Sequence, residues 1–356
     1  MSHITAGVKG RGACSNEKVR FEQWQREAVH EDVGDEGEVV APAKTSVVIQ
    51  TAKSIISRNR SPDVPFDASI NPIQGCEHGC VYCFARPTHA YLGLSPGLDF
   101  ETKLFAKQNA AELLRAEFEK RSYVPEVITV GANTDPYQPA EKTLQITRAL
   151  LGVFEDYNHP VSIITKSGLV MRDIDILSRL AEKQLVKVHV SVTSLDAKLS
   201  RTLEPRASAP RRRLLAIERL TDAQIPVGVL VAPVIPAITD HELESIVRAV
   251  ATAGAKSAGY VLLRLPHEVA GLFTEWLDEH YPLKSKHVQT LLSQMRGGAL
   301  YDAKFGERMS GTGPYADLLR DRFRLACKKH QLNLQRVSLR TDLFKVPHRG
   351  PQLALF

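Results

Sequence analysis

The sequence predicts an α/β fold built around a parallel sheet, and three observations support this. Between residues 46 and 281, short β-rich apolar runs alternate with amphipathic stretches of helical length. Polar residues follow the ends of these runs, and a cysteine-rich loop follows the first of them. After residue 281 the alternation stops and a basic segment begins. The pattern fits a partial (β/α)6 barrel with a basic C-terminal extension, although a doubly wound open sheet would give the same alternation.

Six strands and six helices are predicted in alternation. The strands cover residues 68–72, 127–130, 161–165, 188–193, 227–231 and 260–263. The helices cover residues 110–120, 141–155, 172–184, 210–223, 240–253 and 268–280. Thr239 or Asp240 is a suitable N-cap for the fifth helix, and Gly254 is expected to end it.

Both ends of the chain are predicted to lie outside the barrel, which takes residues 46–281. Residues 1–45 are polar and acid-rich between Glu27 and Glu38, which is typical of a disordered lead-in. Residues 282–349 combine Gly-rich turns with a basic helix near residues 315–330, and we expect this extension to cover one side of the barrel. Residues 350–356 form a short tail.

The composition limits the class of protein. A chain of 356 residues with 43% hydrophobic and 24% charged residues can bury a full core. It contains no run of about 18 apolar residues that would span a membrane. The N-terminal residues lack the apolar core of a signal peptide, so we expect a cytoplasmic protein.

The charge favours an anionic partner. The formal net charge is +6, and residues 296–349 hold twelve Lys or Arg against five Asp or Glu. Residues 201–219 hold six arginines against two glutamates, including the run Arg211, Arg212 and Arg213. Each cluster alone is explained by a solvated helix face, but the two together make DNA or RNA a candidate partner.

Three closely spaced cysteines are the strongest chemical signal. Cys76, Cys80 and Cys83 have the spacing C-x3-C-x2-C within one short loop. Three close thiolates suit a cubane iron–sulfur cluster, in which one iron would keep an open position. Zinc bound with His78 or His89 as a fourth ligand is the alternative. Cys14 and Cys327 lie far away in sequence and are predicted to be incidental thiols.

Further candidate residues follow the predicted strands, because function collects at the carboxyl ends of parallel strands. In chain order they are Asn133, Thr134, Asp135, Tyr137, Gln138, Lys166, Ser167, Thr193, Ser194, Pro233 and Arg264. Asp135 precedes Pro136 and would equally serve as a helix cap. An ammonium at Lys166 would attract a carboxylate. Arg264 lies in the apolar string LLRLP and needs an anionic partner if it is buried, either a ligand or a structural acid.

These motifs resemble the radical S-adenosylmethionine (radical SAM) superfamily. The cysteine spacing, with Tyr82 before the last cysteine, is that of its cluster loop. The strings SINPIQGCEHGCVYCFARPTHAYLG, ISRNRSPDVPFDASINP, LSPGLDFETKLFAK and NTDPYQPAEKTLQITR resemble the branch related to spore photoproduct lyase, often labelled DNA-repair photolyase-like. The likeness covers roughly residues 45–345, together with a GRGA element that begins at Gly10.

The resemblance implies a partial barrel, a 4Fe–4S cluster bound by Cys76, Cys80 and Cys83, and S-adenosylmethionine bound at the open iron. It implies cleavage of that cofactor to methionine and a 5′-deoxyadenosyl radical, with electrons from a flavodoxin- or ferredoxin-like donor. The residues expected to contact the cofactor are Tyr82 beside the adenine, Lys166 with Ser191 or Thr193 at the carboxylate and ribose, and also Thr134, Asp135 and Arg264.

The likeness to spore photoproduct lyase is incomplete. That enzyme uses a further cysteine as a hydrogen donor, whereas the matching stretch here, GANTDPYQPAEKT, contains none. Repair of the spore photoproduct is therefore not expected. Tyr137 is a candidate hydrogen donor, although a buried structural tyrosine is the simpler interpretation.

The sequence predicts a radical SAM enzyme that acts on nucleic acid, in DNA repair or base modification. A small-molecule or protein substrate is the second hypothesis, and a non-catalytic, metal-stabilised nucleic-acid-binding protein is the third. The tail resembles the short peptides that bind a bacterial sliding clamp, with packing on its own domain as the alternative. Its residues are Gln352, Leu353, Ala354, Leu355 and Phe356.

Overall fold

The structure is a computed structural model that describes residues 8–21 and 44–347. Its ten strands are β1 (Ser46–Gln50), β2 (Ile56–Arg58), β3 (Ala68–Ile70), β4 (Ile73–Gln74), β5 (Lys103–Lys107), β6 (Ile128–Val130), β7 (Val161–Thr165), β8 (Val186–Ser191), β9 (Val227–Val234) and β10 (Ser257–Leu262).

Helices cover the outside of the sheet. The α-helices are α1 (Leu98–Thr102), α2 (Ala110–Phe118), α3 (Glu141–Leu144), α4 (Ile146–Asp156), α5 (Ile174–Glu182), α6 (Ala197–Leu203), α7 (Pro210–Asp222), α8 (Leu243–Thr252), α9 (Val269–His280), α10 (Pro282–Gln294) and α11 (Pro314–Lys329). Three 3-10 helices cover Arg86–Leu92, Gly168–Asp173 and Asp240–Glu242. None of the helices in the described part of the chain is long and apolar enough to cross a bilayer.

The strand order distinguishes the two architectures that the alternation allows. The main sheet has the order β10-β9-β8-β7-β6-β3-β2. Six strands of this sheet are parallel, and each pairs with the next of the six along the chain. They are β3, β6, β7, β8, β9 and β10. A doubly wound sheet reverses direction at a switch point, whereas this order advances in one direction throughout. The order therefore confirms the predicted partial barrel, with β2 added antiparallel at one edge.

All six predicted strands are present with different ends, one predicted helix is divided, and α1, α6 and α10 were not predicted. The segment predicted as one helix over residues 141–155 is two helices, because Gln145 has φ of 52°. The carboxylate of Glu141 accepts hydrogen bonds from the backbone N–H groups of Ile146 and Thr147 and so caps α4. The small sheet β1-β5-β4 was not predicted.

Residues 8–21 pack against the barrel, although they fall within the lead-in predicted to be disordered. Ala13 and Val19 are buried. The backbone N–H groups of Gly12 and Ala13 donate to the two carboxylate oxygens of Glu101, over 3.0 and 2.8 Å. The carboxylate thus joins this segment to the end of α1, a contact between residues 89 positions apart.

The C-terminal extension joins the two edges of the open sheet. The N–H of Leu262, at the end of β10, donates to the carbonyl of Met309 over 2.8 Å. The neighbouring Arg308 forms an ion pair with Asp63, which follows β2 at the opposite edge, and the N–H of Gly306 donates to the same carboxylate over 2.7 Å. The extension that was predicted to cover one side of the barrel therefore bridges the gap between the edge strands β10 and β2. We call this gap the seam. The tail peptide lies outside the described residues.

Most arginines of the basic extension have acidic partners. The pairs are Arg308–Asp63, Arg320–Asp317, Arg322–Glu244, Arg324–Asp321 and Arg340–Asp342. In the second basic cluster, Arg213 is fully buried and Arg206 pairs with Glu77. Part of the positive charge counted in the sequence is therefore paired within the fold.

Candidate active site at the mouth of the barrel

The three loop cysteines line one cavity at the carboxyl ends of the parallel strands. Cys76 and Cys80 are buried and Cys83 is half-buried, and all three are free thiols. They line a cavity of about 500 Å³, a size common for small-molecule sites. Their loop turns at Gly79, where φ is 68° and an added Cβ would lie 2.7 Å from a Glu101 carboxylate oxygen. The turn therefore requires glycine.

Three surrounding elements fix the backbone of this loop. The N–H of Cys76 donates to the carbonyl of Phe100 over 2.9 Å, and that of Val81 donates to Leu203 over 3.1 Å. The N–H of Glu77 donates over 2.9 Å to the side-chain oxygen of Gln138, whose amide group donates back to the carbonyl of Gly75. Gln138 was predicted as a polar residue at the mouth of the barrel, but its hydrogen-bond partners were not predicted, because they lie more than sixty residues away.

A buried ion pair also contacts the cysteine loop. Arg86 and Glu101 are both fully buried and in contact. The Arg86 guanidinium also donates to the carbonyls of Cys80, Pro96 and Gly97 over 2.9 to 3.1 Å. Because Glu101 also holds the N–H groups of residues 12 and 13, one carboxylate couples the N-terminal segment to the cysteine loop. Such a network costs much free energy when one member is removed.

The three thiols fit a cluster that binds thiolates. Burial raises the pKa of Cys76 well above its usual value, and the charges of Asp135, Cys80 and Cys83 raise it further. Burial, with Glu204 nearby, also raises the pKa of Cys80. A cationic iron centre would reverse this by stabilising the deprotonated thiols. Across residues 8–21 and 44–347, no set of three or more His, Cys, Asp and Glu side chains converges on a single metal ion.

The two histidines considered as zinc ligands are engaged elsewhere. His78 is buried, with its Nδ1 atom 3.3 Å from a carboxylate oxygen of Asp135. The Nε2 atom of His89 lies 2.9 Å from the carbonyl of Lys103, and its ring packs edge-on against Phe100. Each contact uses one ring nitrogen, and the other nitrogen of His89, Nδ1, is buried without a hydrogen-bond partner in the described structure, so these contacts alone do not exclude zinc.

The cavity brings together five of the predicted cofactor-binding residues. They are Tyr82, Asp135, Lys166, Ser191 and Arg264. The ammonium of Lys166 lies 5.9 Å from the centre of the Tyr82 ring.

Asp135 supports this site from within the fold. Its carboxylate accepts hydrogen bonds from the side chain of Thr165 and from the N–H groups of Lys166 and Tyr137, over 2.6 to 2.9 Å. Although burial disfavours its charge, the neighbouring His78 and these hydrogen bonds lower the pKa of Asp135 to about 2. The hydrogen bond from the N–H of Lys166 to this carboxylate fixes the backbone at Lys166.

Three other predicted residues do not line the cavity. The Thr134 hydroxyl donates to the carbonyl of Ile73, and the Thr193 hydroxyl donates over 2.8 Å to Glu204. Tyr137 is fully buried, with the Arg172 guanidinium 5.9 Å from its ring centre. Its placement matches the simpler interpretation of a structural tyrosine, since a hydrogen donor has to reach the cavity.

A buried acid and base that the sequence did not predict lie behind Tyr82. Glu204 and Arg213 form an ion pair, and the Tyr82 hydroxyl donates to the same carboxylate. Arg213 also donates to the carbonyls of Ser208 and Ser191, over 2.7 and 3.1 Å. The only sequence signal was a single glutamate close to a run of arginines, which the charge count treated as surface.

Arg264 lies at the seam end of the cavity. Its guanidinium is 5.3 Å from the centre of the Phe84 ring, and its Nη1 atom lies 3.4 Å from the Met309 sulfur. Its Nε atom is buried without a hydrogen-bond partner in the described structure. Met309 and Phe84 also line the cavity.

Comparisons with known proteins agree with this geometry. The family model described as the radical SAM superfamily matches residues 70–250. An uncharacterised protein of Mycobacterium tuberculosis strain H37Rv is 37% identical over 221 residues, which are 62% of this chain and 65% of the relative. An uncharacterised protein of Methanocaldococcus jannaschii is 26% identical over 200 residues, 56% of this chain and 72% of that one. The chain thus spans less than two thirds of the mycobacterial relative.

Solved structures show the same fold. Spore photoproduct lyase complexed with dinucleoside spore photoproduct has a TM-score of 0.57 at 16% identity, covering 83% of this chain and 84% of that one. A variant of that enzyme with bound AdoMet and dinucleoside spore photoproduct has a TM-score of 0.52 at 16% identity, covering 84% and 85%. Together with the cysteine loop at the mouth of a partial barrel, the family match shows that the chain belongs to the radical SAM superfamily.

Proposed function

We propose that this chain is a radical SAM enzyme that acts on nucleic acid. The observation that carries the proposal is the convergence of three free cysteines and Lys166 on one cavity at the strand ends. A thiolate-bound cluster and a cofactor carboxylate need this combination of ligands and charge.

Each residue has a definite part in the proposed reaction. Cys76, Cys80 and Cys83 hold a 4Fe–4S cluster. When bound and reduced, this group supplies the electron that cleaves S-adenosylmethionine to methionine and a 5′-deoxyadenosyl radical. Lys166 binds the methionine carboxylate, and Tyr82 contacts the adenine. The apolar cavity walls exclude water from the radical; they include Ile164, Leu230, Val261, Leu262 and Leu263.

The nucleic-acid substrate is supported by the fold shared with a spore photoproduct lyase complex. The chemistry differs from that enzyme, because among the described residues the cysteines outside the loop lie away from the cavity. Cys14 donates its thiol hydrogen to Glu279, and Cys327 is buried in α11. We therefore propose a damaged or modified base other than the spore photoproduct. A small-molecule or protein substrate is the alternative.

The first experiment measures cofactor cleavage. The cluster is reconstituted without oxygen and reduced with dithionite, S-adenosylmethionine is added, and 5′-deoxyadenosine is quantified. We expect product from the parent and from Cys327→Ala, but none from Cys80→Ala. No product from the parent, together with bound zinc and no iron, would leave a metal-stabilised binding protein.

The second experiment measures binding to DNA and RNA at several salt concentrations. Affinity that falls with rising salt supports a nucleic-acid substrate, because phosphate contacts release counterions. Affinity that is absent at low salt favours a small-molecule or protein substrate.

Two partners stay predictions. A flavodoxin- or ferredoxin-like donor would reduce the cluster, and the tail from Gln352 to Phe356 would bind a sliding clamp. Recovery of the clamp by the full chain, but not by a chain that ends at Pro351, would support the second prediction. Equal recovery would contradict it.

A further inference from the structure

Two arginines at the seam end of the cavity are not in ion-pair contact with any acid of the described residues. Arg264 and Arg296 form no ion pair within residues 8–21 and 44–347. The charge of Asp63 acts on Arg264, but this carboxylate already accepts hydrogen bonds from Arg308 and from the N–H of Gly306, and the charge of Asp302 acts on Arg296 without a hydrogen bond between the two. An unpaired charge in a poorly solvated place is costly, so a fold usually keeps one for a ligand.

The two arginines have different positions. Arg296 is buried and donates to the carbonyls of Leu263, Glu307 and Arg308 over 2.8 to 3.3 Å, so it holds the seam together. Burial and the charge of Arg264 lower the pKa of Arg296 to about 10. Arg264 lines the cavity, where its hydrogen bond within the described residues is the weak one to the Met309 sulfur. Arg264 is therefore the member of the pair that a ligand can reach.

This positive end is separate from Lys166. Lys166 follows β7 and Arg264 follows β10, with β8 and β9 between them. Three strand spacings separate their backbones by about 14 Å along the sheet. The cofactor carries a single carboxylate, which Lys166 is proposed to bind. If Lys166 holds the carboxylate of the cofactor, Arg264 faces a different anion.

The surroundings of Arg264 suit a nucleotide. A guanidinium binds phosphate with paired N–H donors and stacks on aromatic faces. The adjacent Phe84 is 43% exposed and also lines the cavity, which is the kind of ring on which a base or sugar packs. The side chains of Ser57, Asn59 and Asn133 line the same cavity and supply neutral polar groups.

We propose that Arg264, beside Phe84, is the phosphate-binding residue for the nucleotide that this enzyme acts on. The inference rests on the proposed nucleic-acid substrate and assigns Arg264 to the substrate, where the sequence analysis assigned it to the cofactor. The phosphate would neutralise the charge that Arg264 and Arg296 share at the seam.

The test measures retention of ligands by the reconstituted chain with S-adenosylmethionine present. Equilibrium dialysis compares an equimolar mixture of the four deoxynucleoside 5′-monophosphates with the four deoxynucleosides, and chromatography identifies what is retained. We expect the parent to bind at least one nucleotide about 10-fold more tightly than its nucleoside. Arg264→Gln should lose this preference, and Arg264→Lys should keep part of it. Arg324→Gln, an exposed surface change with the same charge difference, should behave as the parent.

The proposal would be overturned if the parent bound nucleotides and nucleosides equally, or if Arg264→Gln retained nucleotides as the parent does. It would also be overturned if Arg264→Gln bound S-adenosylmethionine more than about 10-fold less tightly than the parent. The thermal midpoint of each variant is measured in parallel, and Arg264→Lys replaces the glutamine variant if that one does not fold. Failure of the parent to make 5′-deoxyadenosine would defeat the proposed function but would leave nucleotide retention as a separate result.

Discussion

Glu204 and Arg213 form an ion pair in which each side chain is only 1% exposed. The pair stands directly behind the cavity, because the Glu204 carboxylate also accepts the hydroxyl hydrogens of Tyr82 and Thr193. The cysteine loop, the end of β8 and helix α7 are joined through this one carboxylate. Two groups that look like surface charges in the sequence are thus part of the support of the site.

Removing the arginine should destabilise the fold strongly. Arg213→Met leaves Glu204 buried without its partner, and we expect a loss of about 3–5 kcal/mol in the free energy of unfolding. The control is Arg212→Met, one residue earlier and exposed, which should change the free energy by no more than about 0.5 kcal/mol. Denaturant unfolding measures both. Equal values for the two variants would contradict the assigned role of the pair.

The same carboxylate should make stability depend on pH in acid. Burial opposes the charge of Glu204, but Arg213 and Lys166 prevail and lower its pKa from 4.5 to about 2. A depressed pKa gives stability that is present above about 4.5 and lost as the pH falls towards 2. Between pH 5 and 2.5 the parent should lose a few kcal/mol more than Glu204→Gln. Glu218→Gln, an exposed change on α7, should follow the parent; parallel curves for the parent and Glu204→Gln would refute this account.

Lys166 should govern the affinity for the cofactor. Lys166→Met removes the ammonium that lies next to Tyr82, and we expect S-adenosylmethionine to bind about 10- to 100-fold more weakly, the usual effect of one charged hydrogen bond. Lys142→Met changes an exposed lysine on α3 and should leave the affinity unchanged. Equilibrium dialysis of the reconstituted protein measures this. Parent-like affinity in Lys166→Met would place the carboxylate elsewhere.

The N-terminal segment should control retention of the cluster. A Cβ at Gly12 would lie 1.7 Å from the carbonyl oxygen of Gly79, so Gly12→Ala must displace either the segment or the cysteine loop. We expect less iron and sulfide per chain after reconstitution and faster loss of the cluster absorbance. Gly152→Ala in α4 meets no atom within 4 Å and should load iron as the parent does. Full iron loading in Gly12→Ala would show that the segment does not support the loop.

The metal-binding part of the site was predictable because its signal is local. Three cysteines within one loop keep their meaning without knowledge of any distant residue. Lys166 was found by the rule that polar residues at strand ends face one mouth, Ser191 was named through the family resemblance, and both line the cavity. The same rule misplaced Thr134 and Thr193, because beyond the last paired residue the backbone no longer fixes the direction of a side chain.

The sequence by itself determined the six alternating units and the cysteine loop, because apolar periodicity and short spacings are properties of neighbouring residues. The tertiary structure alone decided that the sheet advances in one direction, that Glu101 holds residues 12 and 13, and that Glu204 holds Arg213. It also decided that Arg264 forms no ion pair within the described chain. Which charge meets which depends on long-range packing, and a linear count of charges cannot distinguish a buried pair from an exposed one.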